Sequence, residues 1–172
     1  MRYILETNRL ILRELHPNDA KSFYNLNSNP NVIKYTGNVA FKNEEEATEF
    51  LVNYQDYKLN GYGRWAVILK STNTFIGWCG LKFDGVENET DIGFRFFEEE
   101  WGKGYATESA IACLQYGFEK LKLKRIIGRA MKANIGSIKV LEKIGLEYES
   151  DTQLDGKDAV IYKIEKPDSA DL

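Results

Sequence analysis

The chain has 172 residues, of which 43% are hydrophobic and 28% are charged, and its formal net charge is −3. This length suits one domain with one core, and the composition is that of a folded globular protein, which excludes a disordered chain or one that spans a membrane. The small negative charge gives no electrostatic reason to expect nucleic-acid binding.

The two ends of the chain and its two cysteines indicate the cellular compartment and the limits of the domain. Residues 1–8 lack the apolar stretch and the cleavage site of a secretory signal, so we expect a cytoplasmic protein. Cys79 and Cys113 have no metal-ligand spacing, and the chain has one histidine, so they predict buried thiols and no metal site. The polar residues 166–172 predict a disordered tail after a single domain at 1–165.

The first half of the chain predicts a strand, two helices and an antiparallel meander. Residues 9–13 are rich in strand formers, and Pro17 then suits the first position of a helix. Asn43, followed by three glutamates, predicts the start of a second helix whose apolar spacing continues to Asn60. Turn-forming residues then separate three strand-like runs, at about 64–70, 74–83 and 89–97.

The second half predicts alternating helices and strands. After Gly104 the apolar positions follow the period of a helix, and a buried strand is expected at about 125–131. Asn134 can cap a further helix that ends at Gly145, and two strands then flank the turn at 155–156. The predicted order, β-α-α-β-β-β-α-β-α-β-β, indicates a mixed sheet covered by helices, in the α/β or α+β class.

A glycine-rich turn joins the third strand of the meander to the long helix. It reads Trp101-Gly102-Lys103-Gly104-Tyr105-Ala106-Thr107. Glycines let the backbone turn sharply and let a ligand approach, while the start of a helix offers unpaired N–H groups and a positive dipole end. Such a turn can bind phosphate, although a simple tight connection uses the same residues. The dinucleotide-binding and Walker patterns are absent from it.

Three separated segments resemble GNAT N-acetyltransferases, and the resemblance spans nearly the whole chain. They are residues 6–15, 101–106 and 134–146. The middle segment is similar to the pyrophosphate loop of that superfamily, and the other two are similar to the branch that includes the ribosomal-protein alanine and serine N-acetyltransferases. The resemblance implies a mostly antiparallel sheet with helices on both faces and the use of acetyl-coenzyme A. Trp101 stands where the pattern prefers Arg or Gln, which removes one phosphate donor but not the loop.

The resemblance also implies which residues bind the cosubstrate. Backbone N–H groups of the loop would bind the coenzyme A pyrophosphate, and two phenylalanines on a splayed strand would bind the pantetheine arm and the thioester carbonyl. Asn134 would contact the pantetheine, with Ser137 one helical turn along, although Asn134 can equally serve as an N-cap. The implied cofactor-binding residues are Phe94, Phe96, Trp101, Gly102, Lys103, Gly104, Tyr105, Ala106, Thr107, Asn134 and Ser137.

The family implies direct acetyl transfer in a ternary complex, with a base for the amine and an acid for the leaving thiolate. Asp91 is the predicted base, at about the strand position where some members carry a glutamate. The alternatives are that Asp91 is a solvated strand residue or that one of residues 98–100 acts instead. Leu141 stands where many members use a tyrosine as the acid, so Ser137 is predicted for that role.

The expected function is acetylation of a primary amine, foremost a protein N-terminal α-amine. Losing a proton at pH 7 costs an α-amine about 1 kcal/mol and a lysine roughly 4 to 5 kcal/mol, so an α-amine needs a weaker base. The alternatives are acetylation of a polyamine, an amino sugar or an antibiotic, a coenzyme A-binding module without turnover, and a nucleotide-binding regulator. We expect no nucleic-acid or membrane partner, and a monomer or a homodimer.

Overall fold

The computed structural model describes residues 2–166, so residues 167–172 of the predicted tail lie outside the described part. The strands are β1 (Tyr3–Glu6), β2 (Leu10–Glu14), β3 (Arg64–Leu69), β4 (Thr74–Asp84), β5 (Glu89–Phe96), β6 (Arg125–Met131), β7 (Glu147–Leu154) and β8 (Lys157–Glu165). The α-helices are α1 (Ala20–Ser28), α2 (Pro30–Ile33), α3 (Glu44–Val52), α4 (Asp56–Asn60), α5 (Tyr105–Glu119) and α6 (Ile135–Lys143). Two single 3-10 turns lie at Pro17–Asp19 and Glu98–Glu100.

All eight strands form one sheet in the order β1-β2-β3-β4-β5-β6-β8-β7, and only β5 and β6 pair in parallel. This arrangement confirms the predicted mixed, mostly antiparallel sheet. Strand β5 pairs with β4 from Glu89 to Phe96, and β6 pairs with β8 over its whole length. Strands β5 and β6, however, pair with each other only at Asp91 and Ile127. The two central strands therefore diverge beyond Asp91, which is the splay that the family resemblance implies.

Helices cover both faces of the sheet and create two cores. On one face, α5 and α6 pack through Cys113, Leu114 and Leu141 against strand residues such as Trp65 and Leu81. On the other face, α1 and α3 bury side chains such as Phe23 and Leu51 against Ala66 and Ile68. The gap between β5 and β6 thus opens between two helical layers.

The structure differs from the predicted order of elements, and it adds the short helix α2 after α1. Strand β1 was not predicted, because a four-residue edge strand is too short to show a clear period. The second predicted helix, expected to continue to Asn60, is broken into α3 and α4 after Val52. The break lets the hydroxyls of Tyr54 and Tyr57 accept hydrogen bonds from the backbone N–H groups of Arg64 (2.8 Å) and Leu15 (2.9 Å).

Both cysteines are buried free thiols, as predicted, with 3.7 Å between the sulfur atoms of Cys79 and Cys113. Within residues 2–166 no helix is both long and apolar enough to cross a membrane. The same residues contain no cluster of three or more His, Cys, Asp or Glu side chains that could hold a metal ion.

Candidate active site

A cavity of about 930 Å³ lies at the splay between β5 and β6. Its lining includes Tyr105 and Val140 from the α5–α6 layer, and Tyr35, which follows α2 on the other side. Both Phe94 and Arg95 line it, and consecutive strand residues point to opposite faces of a sheet. The cavity therefore opens on both faces, so two ligands can meet at the gap from opposite sides.

The glycine-rich turn forms one end of this cavity. Gly102 and Gly104 have φ values of +72° and +82°, a left-handed conformation that side chains other than glycine's rarely adopt. Helix α5 then begins at Tyr105, and no side chain caps its N-terminus. A Cβ added at Gly102 would meet no atom within 4 Å, so the backbone lies open to a ligand. Open backbone at the positive end of a helix is suited to an anion.

The edge of β5 supplies a second set of backbone groups. The Phe97 N–H bonds to the Ile76 carbonyl on β4, at 3.1 Å. Because successive residues of a strand direct these groups to opposite edges, the backbone of Phe94 and Phe96 points toward the gap. The Trp101 indole Nε1–H donates to the Phe96 carbonyl at 3.0 Å, while the Trp101 side chain is 49% exposed. The backbone of Phe94 is left for a ligand.

Helix α6 brings the other predicted pair of side chains to the cavity. Both Asn134 and Ser137 line it, and the Asn134 Oδ1 also accepts from the Ser137 N–H at 3.2 Å, so Asn134 is the N-cap. The Asn134 Nδ2 donates to the Ser137 Oγ at 2.9 Å, which leaves the Ser137 hydroxyl hydrogen free to point elsewhere. Leu141 is 2% exposed in the core, away from the cavity lining.

Lys103 does not line the cavity, in contrast to the rest of the predicted loop set. Its ammonium group lies 2.9 Å from a Glu100 carboxylate oxygen, and that hydrogen bond raises the pKa of Lys103. Its carbonyl accepts a hydrogen bond at 2.9 Å from the guanidinium of Arg9. Lys103 thus helps to hold the loop through its backbone carbonyl, while its side chain pairs with Glu100 outside the cavity lining.

The β1–β2 hairpin holds the start of α5, a contact that sequence reasoning missed. Glu108 accepts hydrogen bonds from the Thr7 hydroxyl at 2.6 Å, the Arg9 N–H at 2.9 Å and the Arg9 Nε at 2.6 Å. The Arg9 guanidinium also lies 4.5 Å from the centre of the Tyr105 ring. We call Thr7, Arg9 and Glu108 the hairpin clamp. Burial raises the pKa of Glu108, but the hydrogen bonds from Thr7 and Arg9 outweigh burial and bring it below its usual value.

Asp91 lies outside the large cavity. It lines a separate, shallower depression of about 450 Å³, on the opposite face of β5 from Phe94. Its carboxylate bonds to the guanidinium of Arg64 and lies 3.5 Å from that of Arg129. Two cations thus occupy its oxygens, an arrangement that does not fit a base in direct contact with an amine in the cavity.

Of the other predicted carboxylates, Glu98 and Glu100 are engaged, and Glu99 is exposed outside the cavity lining. Glu98 accepts hydrogen bonds from the side chains of Asn29 and Asn31 at 3.0 Å, and these bonds lower its pKa. Glu100 pairs with Lys103 as described. Both glutamates line the cavity, where Glu98 is exposed and Glu100 is partly buried.

Arg95 is a cavity residue that sequence reasoning did not single out. Its guanidinium bonds to the side-chain oxygens of Asn27 and Asn38, the second at 2.9 Å, and it lies 5.2 Å from the centre of the Trp78 ring. Sequence reasoning assigned only backbone roles to this part of the strand, so it gave no signal that the Arg95 side chain would line the cavity. Arg95 places a positive charge on the α1–α2 side of the gap.

Comparison with known proteins identifies the family of this chain. Residues 9–147 match the family described as acetyltransferase (GNAT) domain. The uncharacterised N-acetyltransferase p20 of Bacillus licheniformis is 33% identical over 147 residues, covering 84% of this chain and 83% of that protein. The crystal structure of a GNAT-family acetyltransferase from Bacillus anthracis has 30% identity and a TM-score of 0.82, covering 95% of this chain and 98% of that one.

A more distant structure supports the same fold. The crystal structure of spermidine N-acetyltransferase from Vibrio cholerae, in complex with CoA and spermine, has 23% identity and a TM-score of 0.76. The alignment covers 92% of this chain and 96% of that one. At this identity the likeness shows the fold alone.

Proposed function

Since the chain belongs to the GNAT family of acetyltransferases, and is thus an acyltransferase that moves an acetyl group from acetyl-coenzyme A to an amine, we propose that its acceptor is a peptide N-terminal α-amine. The observation that carries the proposal is the cavity that opens on both faces of the sheet at the splay. It allows a thioester and an amine to meet directly from opposite sides. No covalent enzyme intermediate is then required.

The cavity has groups that match each part of acetyl-coenzyme A. The open backbone from Gly102 to Thr107 suits the pyrophosphate, and the free backbone edge at Phe94 suits the pantetheine amides and the thioester carbonyl. Asn134 adds an amide beside the same path. A hydrogen bond from the Phe94 N–H to the thioester oxygen would stabilise the negative charge that develops there in the transition state.

The chemical step forms one bond and breaks one. The nitrogen lone pair attacks the thioester carbon, the C–N bond forms, and the C–S bond breaks with its electrons on sulfur. We assign the Ser137 hydroxyl to relay a proton from water to that thiolate, taking up a water proton as it gives its own, because it lines the cavity with its hydrogen free. The amine proton leaves to water, with Asp91 acting at most through water because of its two arginine partners.

An α-amine fits this set of groups better than a lysine. About one α-amine in ten is already neutral at pH 7, whereas a lysine is neutral in only about one case in 2,000. The two carboxylates that line the cavity, Glu98 and Glu100, are engaged in hydrogen bonds, so the described lining offers no unengaged carboxylate as a base. Arg95 on the acceptor side also disfavours a polyamine, since it would repel a second positive charge.

The test is thiol release from acetyl-coenzyme A with free N-terminal peptides, blocked lysine peptides, polyamines and aminoglycosides. We expect turnover of the free N-terminal peptides; turnover confined to small amines would move the function to metabolite or drug modification.

Gly104→Val should abolish coenzyme A binding measured by calorimetry, because the side chain blocks the backbone. Gly61→Val is the matched control, since Gly61 has nearly the same φ, +79°, at the end of α4 outside the cavity lining. Equal affinity of the two variants would contradict the pyrophosphate site.

A further inference from the structure

Arg95 differs from every other arginine of the chain. Six of the seven arginines lie within 4 Å of a carboxylate oxygen, in the pairs Arg2–Glu14, Arg9–Glu108, Arg13–Asp19, Arg64–Asp91, Arg125–Glu89 and Arg129–Asp84. Within residues 2–166, Arg95 has only the neutral amide oxygens of Asn27 and Asn38 as hydrogen-bond acceptors. No carboxylate of residues 2–166 therefore lies within 4 Å of its charge.

The surroundings of Arg95 make this imbalance costly. Its guanidinium and that of Arg64 lie 5.2 Å and 5.4 Å from the centre of the same Trp78 ring. Burial, followed by the charge of Arg64, lowers the pKa of Arg95 to about 10, so it stays protonated at neutral pH. A charge that is partly removed from water is destabilising unless it is paired. An anion from outside the chain would supply the missing pair.

The position of Arg95 shows where that anion would come from. Arg95 follows Phe94 directly on β5, about 3.3 Å along the strand, and its side chain lies on the opposite face from the α5–α6 layer. We propose that Arg95 binds a carboxylate of the acceptor, so that the substrate is a primary amine with a carboxylate a few bonds away. This inference rests on the proposed acetyl transfer and narrows its acceptor.

A purely structural role would be to fasten the segment after α1 to the sheet through Asn27 and Asn38. A guanidinium has five N–H donors, and these two amides account for two of them. The remaining donors can take a carboxylate in the cavity without breaking either bond. Fastening to two amide oxygens requires only N–H donors, whereas a carboxylate also pairs with the positive charge.

The experiment compares acceptors that differ by one carboxylate, with kcat/KM calculated for the neutral amine, because a neighbouring carboxylate also raises the pKa of the α-amine. L-Alanine is paired with L-alaninamide, and the peptide Ser-Asp-Ala-amide with Ser-Asn-Ala-amide. We expect the acid of at least one pair to have a kcat/KM about ten to a hundred times that of its amide. A preference in the first pair would indicate a free amino acid, and a preference in the second would indicate an acidic peptide N-terminus.

The variants separate recognition from structure. Arg95→Gln should bring the acid-to-amide ratio close to one, and Arg95→Lys should keep part of it, while coenzyme A affinity stays unchanged in both. Arg125→Gln is the control, because it removes a paired arginine from β6 outside the cavity lining. An unchanged ratio in Arg95→Gln, or turnover of both members of each pair without an acid preference in the original protein, would overturn the proposal.

A binding measurement keeps this test independent of turnover. Calorimetry with the coenzyme A-loaded protein compares N-acetyl-L-alanine with N-acetyl-L-alaninamide, and N-acetyl-Ser-Asp-Ala-amide with its Asn counterpart. Tighter binding of an acid, lost in Arg95→Gln, would support the anion site even if no acceptor were turned over. The missing turnover would then contradict only the proposed acetyl transfer. Equal or undetectable binding of both members of each pair, without an acid preference in turnover, would overturn the anion site alone.

Discussion

The hairpin clamp offers the sharpest test of how the fold holds the pyrophosphate loop. Replacing Glu108 with Gln keeps the size of the side chain but removes its charge. Its three accepted hydrogen bonds come from the β1–β2 hairpin, and the same Arg9 side chain also donates to the Lys103 carbonyl inside the loop. We expect Glu108→Gln to release Arg9 and loosen the loop, so that coenzyme A binds less tightly.

The size of the effect follows from the exposure of the pair. A hydrogen bond to a charged group contributes about 1.5 to 3 kcal/mol when it is shielded from water. The Glu108 side chain is 20% exposed but that of Arg9 is 41% exposed, so screening reduces the contribution to about 1 to 2 kcal/mol. In a protein of this length that corresponds to a fall in Tm of roughly 2 to 8 °C. If half of the loss reaches the loop, coenzyme A affinity falls about two- to fivefold.

Calorimetry with coenzyme A and thermal unfolding measure the two parts separately. Glu119→Gln is the control, because Glu119 is the exposed last residue of the same helix. A fall in Tm for Glu108→Gln with unchanged coenzyme A affinity would refute a role in positioning the loop and leave the clamp as a purely structural contact. No change in either quantity would refute the energetic estimate itself.

Two further predictions concern the chemical step. Ser137→Ala should lower kcat about tenfold with little change in coenzyme A affinity, because a thiolate leaves fairly well without an acid; an unchanged kcat in steady-state assays would remove Ser137 from the proton transfer. The kcat/KM for a peptide should rise about tenfold per pH unit and level off near pH 8, as its α-amine loses its proton. The folded-state pKa of Glu108 is lowered, so the stabilisation from the hairpin clamp is present above about pH 5 and is lost only as the pH falls through that lower pKa. Protonation of Glu108 therefore does not shape the pH profile of kcat/KM. A plateau already reached at pH 6 would instead indicate an enzyme base.

The parts of the fold that the sequence predicted are those determined by local chemistry. The two loop glycines predicted a sharp turn before a helix, and both have positive φ values with α5 starting at Tyr105. Asn134 predicted a helix start and is the N-cap of α6. The splay of β5 was implied by resemblance, because the pairing of distant strands leaves no local pattern in one sequence.

The parts that could not be predicted depend on contacts between distant segments. The pairing of Arg9 with Glu108 joins residues 99 positions apart, and neither residue stands out within its own segment. Asp91 was predicted as a base from its place on the strand, but its ion pairs with Arg64 and Arg129 come from two other strands. Its role as a base stays a prediction, now restricted to action through water.

The packing of α6 on β6 explains why, within this helix, a proton donor can stand at Ser137 but not at position 141. A Cβ added at Gly128 would lie 2.5 Å from the Cδ2 atom of Leu141, so the helix approaches the strand closely there. Leu141 fills this contact in the core, and a larger aromatic side chain pointing the same way would be overpacked. Ser137 carries the only side-chain hydroxyl between Ile135 and Lys143, and it faces the cavity beside Asn134. The leucine is thus part of the core of this chain, and the proposed proton donor, Ser137, lies one helical turn toward the N-terminus of α6.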